Sequence, residues 1–386
     1  MKKILVFTGG GLAPALNPTL YGVISGAKKN GWKILGGLFG WASLLPGGQQ
    51  IDLTNTDVES IKDIGGTFLR SSRTNPFAYP DGIALIKKRL VELEIDAVVA
   101  IGGDDTLGAA AKLATAGVPI VGIPKTIDND LFGTYFTPGF PSAARRLSDY
   151  AREIKEDAAY ALSRIYVIES LGMKAGWLAA SAIYGGADII IPPEREINWA
   201  NFLKLLKERY TKNGNFATVV ISQEANFDEP LEVATDAQPG EQYGHTRKHF
   251  ICLPLKDKIK KELKIETKAL YPGNYLESGK PIELDKKMSI ALGRKAVDLI
   301  AGGKFGYAAV IARPDAASLE LTIGAALLTD LSGSGTFRPM PEEYFDLESL
   351  LPTATFLEYM RPILGECRKD EDDYAKLLKK VTSRSS

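Results

Sequence analysis

Two short stretches hold most of the groups that can do chemistry. Gly102-Gly103-Asp104-Asp105-Thr106 and Pro124-Lys125-Thr126-Ile127-Asp128-Asn129-Asp130 each follow an apolar run, Ala97–Ile101 and Pro119–Ile123, that reads as a buried strand. Ligands of an open α/β sheet collect outside the carboxyl ends of its strands. Four carboxylates, a lysine, two glycines and two threonine hydroxyls at two such ends suit phosphoryl transfer. One acid is for Mg²⁺, the cation is for phosphate, and another acid takes the proton of an acceptor hydroxyl. Adjacent acids such as Asp104 and Asp105 are costly unless something positive neutralises them. A surface turn in which Asp105 or Thr106 caps the next helix accounts for them too. In the second stretch Lys125 offers a point charge, Thr126 a hydroxyl for a bridging oxygen, Asp128 a general base and Asp130 a group to orient it. The plainer alternative is a solvated turn with Asx caps. Upstream, Thr8-Gly9-Gly10-Gly11 opens a helix. Its glycines either admit an anion to free helix N–H groups or simply make a tight strand-to-helix turn.

The elements that must position these residues alternate. Strands are expected at Ile4–Thr8, Trp32–Leu38, Ala97–Ile101 and Pro119–Ile123, and helices at Pro18–Lys29, Gly82–Leu93 and Leu107–Ala116. Gly133, Pro138, Gly139 and Pro141 mark a crossing between domains, followed by a long helix over Ser142–Ala161. A second set follows: strand Arg164–Glu169, helix Ala175–Tyr184, strand Ala187–Ile191, helix Trp199–Lys212 and strand Ala217–Ser222. Asp228–His245 reads as a polar excursion, Leu284–Ile300 as a helix and Tyr307–Ala312 as a strand. Near-continuous apolar strands alternating with helices predict parallel, doubly wound sheets.

With 386 residues the chain has room for two domains and a large core. Its 47 basic and 47 acidic residues cancel, so no global field points to nucleic acid or an anionic membrane; any phosphate site must be local. Cys252 and Cys367 give neither metal spacing nor a disulfide framework, which fits a reducing cytoplasm. The N-terminal apolar run is short for a signal sequence and reads as a strand. No apolar stretch has the length of a membrane span. Two histidines, His245 and His249, give little support to histidine-based acid–base chemistry.

From residue 1 to about 315 the chain resembles the phosphofructokinase superfamily of the bacterial type. The resemblance rests on the glycine turn with Ala13-Pro14-Ala15-Leu16-Asn17, Gly65-Gly66-Thr67 with Ser71-Ser72-Arg73, the two stretches above, and Phe136-Thr137-Pro138-Gly139-Phe140. Gly172 with Ala175-Gly176-Trp177-Leu178-Ala179, Tyr243-Gly244-His245, and Gly273, Gly279-Lys280-Pro281 and Asp285 follow in order. It implies two Rossmann-like three-layer αβα domains with mostly parallel sheets and the active site in the cleft between them. The donor domain would be residues 1–139 plus 276–315 and the acceptor domain 140–275 plus 316–386. ATP-using members carry glycine where Asp105 and Lys125 stand here; this pair resembles the pyrophosphate-using branch. An aspartate crowds and repels a nucleotide's inner phosphate, and a lysine suits compact pyrophosphate. By the same likeness Asp104 holds Mg²⁺, Asp128 is the base, and Gly10, Gly11 and Arg73 sit by the donor. A cytoplasmic homodimer or homotetramer acting on small molecules in glycolysis is implied, with sites completed across subunits and Arg164 available to a neighbour.

The acceptor side departs from the family pattern. Leu171-Gly172-Met173 lacks the usual arginine, and Glu277 stands where an arginine usually grips the 6-phosphate of fructose 6-phosphate. An anion in place of a cation removes attraction and adds repulsion. Arg164, Lys268 and Lys280 remain as phosphate ligands, with Asn274 beside the same turn and Glu224 matching the family's sugar-hydroxyl carboxylate. Glu277 could instead pair with Lys268 or Lys280 and close the pocket to phosphate. The default expectation is phosphoryl transfer from pyrophosphate to fructose 6-phosphate. Rival expectations are another sugar or polyol acceptor, or a catalytically silent regulatory paralogue. Arg70, where the family usually has glycine, is either a donor-loop novelty or a solvated arginine.

Overall fold

A run as apolar as Ala97–Ile101 requires cover on both faces of its sheet, and the computed structural model has that arrangement. The structure describes residues 1–159, 163–233, 235–237, 243, 246–248, 250–332, 337–367 and 380. They divide into two units, one of residues 1–143, 237–245 and 277–338, the other of 144–236, 246–276 and 339–386.

In the first unit, β1 (Lys3–Thr8), β2 (Lys33–Gly37), β3 (Gln50–Asp52), β4 (Ala97–Gly102) and β5 (Ile120–Pro124) join Tyr307–Ala312 and Thr322–Leu327 in a seven-stranded sheet. The order is 322–327, 307–312, β5, β4, β1, β2, β3, parallel except for the two outermost strands. In register, Val6 lies opposite Val99 and Val99 opposite Val121. Because β1 lies between β2 and β4, the strand order reverses there. That switch point opens a crevice at the carboxyl ends of β1 and β4, just where Gly9–Gly11 and Gly102–Asp105 follow. Phe7, Val98, Ala100, Leu107, Ala110 and Leu113 are buried in the core beneath them.

Helices α1 (Leu16–Lys29), α2 (Gly82–Glu92) and α3 (Asp104–Thr115) follow β1, β3 and β4. Glycine lets α1 press on the helix Glu283–Ala301: a Cβ on Gly22 would lie 2.3 Å from the Ile290 carbonyl oxygen, and one on Gly293 2.4 Å from that of Thr19. Helix α4 (Phe140–Asp157) begins on a buried carboxylate. Asp285 accepts hydrogen bonds from the Gly139 N–H (3.0 Å), the Ser142 N–H (3.3 Å) and the Ser142 hydroxyl (2.6 Å). This satisfies orphan donors at the helix start and places a negative charge on its positive end.

The second unit contains β6 (Ile165–Ser170) and β7 (Ile189–Ile191), which with Ala217–Ser222 and Thr267–Leu270 form a four-stranded sheet. All its pairings are parallel, in the order 267–270, β6, 217–222, β7.

Three sequence expectations need adjustment. Helix α3 starts at Asp104, not Leu107, so both acids lie in its first turn, where the helix dipole favours them. Residues 316–338 belong with the first unit, because Thr322–Leu327 pairs antiparallel with Tyr307–Ala312. The long helix is α-helical to Asp157 and passes into a π turn at 158–159; its expected end, Ala161, lies outside the described residues.

Candidate active site

The loop after β1 is held in place by its neighbours. Gly10 adopts φ +79°, a left-handed conformation that favours glycine. Its N–H donates to the Ser72 carbonyl at 3.0 Å, and the Ser71 hydroxyl donates to the Gly10 carbonyl at 2.6 Å. The Thr8 hydroxyl donates to the Arg70 carbonyl at 2.9 Å, so the segment carrying Arg73 is tied to the end of β1. Asn17 braces the other side, accepting from the Phe68 N–H at 3.0 Å and donating to the Gly65 carbonyl at 3.2 Å. Thr106 in α3 packs beneath the turn: a Cβ on Gly9 would lie 2.6 Å from its hydroxyl oxygen.

Lys125 follows β5 and is 2% exposed. Its N–H donates to the Gly102 carbonyl at 2.9 Å, and its ammonium donates to the Gly11 carbonyl at 2.5 Å. A Cβ on Gly10 would stand 3.7 Å from that nitrogen, so the glycine turn lies directly against the ammonium. Burial pulls the Lys125 pKa down to about 8, with Glu277, Asp128 and Asp130 opposing the shift and Arg73 adding to it. The amine therefore titrates within the range where enzymes work, and a phosphate beside it would restore its charge.

Downstream, the Asp128 N–H donates to the Thr126 hydroxyl oxygen at 3.1 Å, leaving the Thr126 O–H able to donate. The Thr137 hydroxyl donates to the Thr126 carbonyl at 2.7 Å. Asn129 is fully buried at φ +58° and accepts from the Thr137 N–H at 3.1 Å. Asp130 is 7% exposed. Burial, then the charge of Asp128 and that of Asp104, lift its pKa well above the usual carboxylate range, with Arg338 opposing. Among the described residues no three His, Cys, Asp or Glu side chains form a ready-made metal cage. Mg²⁺ is commonly held by one or two carboxylates together with substrate phosphates. The mutual repulsion of Asp104, Asp128 and Asp130 is the setting that such a cation relieves.

The structure thus brings Gly10, Gly11, Arg73, Asp104, Lys125, Thr126, Asp128 and Asp130 to one end of the first sheet. Asp105 lies beside Asp104 in the first turn of α3. Glu277, expected on the acceptor side, also comes here. A Cβ on Gly11 would lie 3.7 Å from its carboxylate, and it is the leading charge that keeps Lys125 protonated.

In the second unit, Leu171, Gly172 and Met173 follow β6 and Glu224 follows Ala217–Ser222, at the carboxyl ends of that sheet. Met173 takes φ +48°, and its sulfur accepts from the Gln223 amide at 3.1 Å. Asn274 is exposed on the turn after Thr267–Leu270. Arg164 and Lys268 do not join them. Arg164 precedes β6, its guanidinium 5.9 Å from the centre of the Tyr166 ring, and Lys268 lies opposite Tyr166 in register. Both are at the amino end of the sheet, Lys268 roughly 13 Å and Arg164 roughly 20 Å along β6 from Ser170 at about 3.3 Å per residue. Lys268 is ion-paired with Glu266 at 3.0 Å, and Lys280 in the first unit with Asp63 at 3.7 Å. Tyr243 donates to the Thr74 carbonyl at 3.2 Å; Gly244 and His245 lie outside the described residues.

Sequence reasoning missed Arg338. Its guanidinium donates to the carbonyls of Asn129, Thr134 and Tyr135. It belongs to no periodic pattern, and an isolated arginine between Phe337 and Pro339 gives no signal.

Comparison with known proteins agrees with this geometry. The phosphofructokinase family model matches residues 3–300. The chain is 36% identical over 324 residues to the pyrophosphate–fructose 6-phosphate 1-phosphotransferase of Dictyoglomus thermophilum, spanning 83% of this chain and 92% of that one. It is 33% identical over 328 residues to an ATP-dependent 6-phosphofructokinase of Bacteroides thetaiotaomicron, spanning 83% and 91%. The solved pyrophosphate-dependent phosphofructokinase of Marinobacter aquaeolei shares the fold, with a TM-score of 0.82 over 95% of this chain and 93% of that one at 21% identity.

Proposed function

Because this chain belongs to the phosphofructokinase family, we propose that it transfers a phosphoryl group from pyrophosphate to a hydroxyl of a sugar phosphate, converting fructose 6-phosphate to fructose 1,6-bisphosphate. Relatives named for pyrophosphate and for ATP are almost equally similar, so the choice of donor rests on particular side chains. The observation that carries it is the buried Lys125 ammonium, bonded to the Gly11 carbonyl and adjacent to Gly10. It offers a compact polyanion a desolvated cation and leaves Asp105 to repel the longer nucleotide chain.

In this reading Gly10, Gly11, Arg73 and Lys125 hold the donor, and Asp128 accepts the proton of the attacking hydroxyl. Thr126 donates to a bridging oxygen and Asp130 orients the base. Asp104 would hold Mg²⁺, which supplies neutralising charge to the phosphates when bound. The first unit binds the donor and the second the acceptor, through Leu171, Gly172, Met173, Glu224 and Asn274. The enzyme works in cytoplasmic carbohydrate metabolism as a homodimer or homotetramer. Arg164, at the far end of its sheet, serves a neighbouring copy. Glu277 favours a second reading: a carboxylate beside Gly11 and Lys125 suits a sugar or polyol that brings hydroxyls in place of the 6-phosphate.

A panel of sugar phosphates, sugars and polyols, each assayed with pyrophosphate and with ATP, tests both. Pyrophosphate with fructose 6-phosphate is the expected pair. Preference for a neutral polyol would establish the second reading, and turnover with ATP alone would overturn the donor assignment.

A further inference from the structure

The loop that carries Asp128 and Asp130 is fastened by one residue from outside the matched family region of residues 3–300. Arg338 donates from Nε (3.0 Å) and Nη2 (2.7 Å) to the Asn129 carbonyl. Its Nη1 donates to the carbonyls of Thr134 (2.8 Å) and Tyr135 (3.2 Å). Its own backbone N–H donates to the Asp130 carbonyl at 2.7 Å. The Asn129 carbonyl belongs to the peptide that joins Asn129 to Asp130, one residue after Asp128. Asn129 is also left-handed at φ +58°, a conformation asparagine adopts more readily than other residues with a Cβ.

We infer that Arg338 is a positioning residue for phosphoryl transfer: it locks the Asn129 peptide and so fixes the directions in which Asp128 and Asp130 project. The inference rests on the reading of residues 125–130 as the transfer loop. A planar fork of donors is needed because three carbonyls converge on one side chain. A lysine keeps the charge but cannot span them. The donor-binding contacts of Gly10 and Gly11 come from another loop, and Lys125, at the start of this one, is anchored separately on the Gly102 and Gly11 carbonyls, so the clamp governs turnover more than donor affinity. Misplacing a catalytic group by about 1 Å costs on the order of 100-fold in rate.

Two measurements decide it. With the donor and acceptor preferred by the wild-type enzyme, Arg338→Ala should lower kcat about 100-fold with KM for pyrophosphate changed less than about threefold. Arg338→Lys should fall between, and added guanidinium should restore part of kcat in the alanine variant alone. Arg313→Ala, which removes the donor to the Tyr135 hydroxyl at 3.0 Å, serves as the comparator and should cost melting temperature but little kcat. A loss in Arg338→Ala no greater than in Arg313→Ala, or one carried by KM, overturns the inference. The second measurement is independent of the reaction assigned to the enzyme. Amide exchange in Arg338→Lys, and in Arg338→Ala where it folds, should quicken at Asp128 and Thr137 while β4 and β5 keep their protection. Unchanged exchange at those two amides rejects the clamp, whereas a wild-type enzyme inert with both donors rejects the functional reading only.

Discussion

The carboxyl ends of the two parallel sheets carry opposite kinds of chemistry. In the first unit they gather ions out of water: Lys125 is 2% exposed, Asp130 is 7% exposed, and burial displaces the titration of both. In the second unit they carry Leu171, Gly172, Met173, Gln223 and the half-buried Glu224. The two more buried acids there are held by backbone N–H groups of the same unit, Glu169 by Cys252 and Glu194 by Gly176 and Met340. Buried charges are costly unless a partner or ligand compensates them, whereas apolar and amide groups shape a surface with little electrostatic demand. Under the proposed function, the contrast separates a place that handles phosphoryl charge from one that recognises hydroxyls.

The test with the largest expected effect removes the base on the charged side. Asp128→Asn keeps shape and hydrogen bonds but cannot take a proton, so kcat should fall by about 10³–10⁴ with the melting temperature nearly unchanged. Glu224→Gln, the matching change on the neutral side, should raise KM for the acceptor and spare kcat. Equal effects on kcat from the two would erase the division of labour. Next in size, Asp105→Gly combined with Lys125→Gly should lower kcat/KM for pyrophosphate by about 10²–10³. The ratio of ATP to pyrophosphate use should rise. Unaltered pyrophosphate kinetics would remove Lys125 from the donor site.

The charged side was the more legible of the two in the sequence, for a physical reason. Acids and a lysine directly after apolar strands are locally anomalous, so Asp104, Lys125, Asp128 and Asp130 announce themselves without a structure. The switch point between β1 and β4 then brings them together, as strand–helix alternation implied. What sequence could not supply was long-range. Glu277 follows a turn whose partners are set by tertiary packing, and its approach to Gly11 depends on the chain returning after nearly the whole second unit. Arg338 acts through backbone carbonyls, which have no residue-specific signature. On the acceptor side, the strand expected over Arg164–Glu169 already puts Arg164 at the amino end, whereas the placement of Lys268 there depends on the register of a pairing strand that the sequence does not mark. The strand Thr322–Leu327, which moved the domain boundary, is an edge strand of mixed exposure and lacks the continuous apolar run that marks a central one.

A milder perturbation is pH. In the proposed function Lys125 binds phosphate as a cation, and its pKa stands at about 8. Pyrophosphate affinity should therefore be full below that value and fall as pH rises through it, towards tenfold per unit. Stability runs the other way. The unfolded chain keeps this proton up to the ordinary lysine pKa of 10.5 while the folded chain has lost it. This residue therefore adds stability to the unliganded protein as pH rises from about 8 to 10.5. Glu277→Gln removes the leading charge that favours the ammonium, so the drop in affinity should begin at lower pH. A KM for pyrophosphate that is flat from pH 7 to 9 in both proteins would show that the amine does not meet the donor as a cation.

The smallest expected effect concerns backbone strain at one chosen non-glycine residue in each unit. Arg70 has φ +63° beside the donor loop and Met173 has φ +48° beside Gln223. Left-handed geometry costs a residue with a Cβ about 1 kcal/mol, whereas glycine adopts it freely but loses more entropy on folding. Arg70→Gly should therefore be neutral to stabilising by up to about 1 kcal/mol in a denaturant titration, because the exposed side chain gives up little packing. Met173→Gly should be destabilising despite the same backbone relief, since it removes a half-buried side chain and its contact with Gln223. A change of pyrophosphate KM in Arg70→Gly would give its guanidinium a part in donor binding and make the strain the cost of a functional cation. Without such a change, Arg70 is a solvated residue at a position where only the backbone conformation matters.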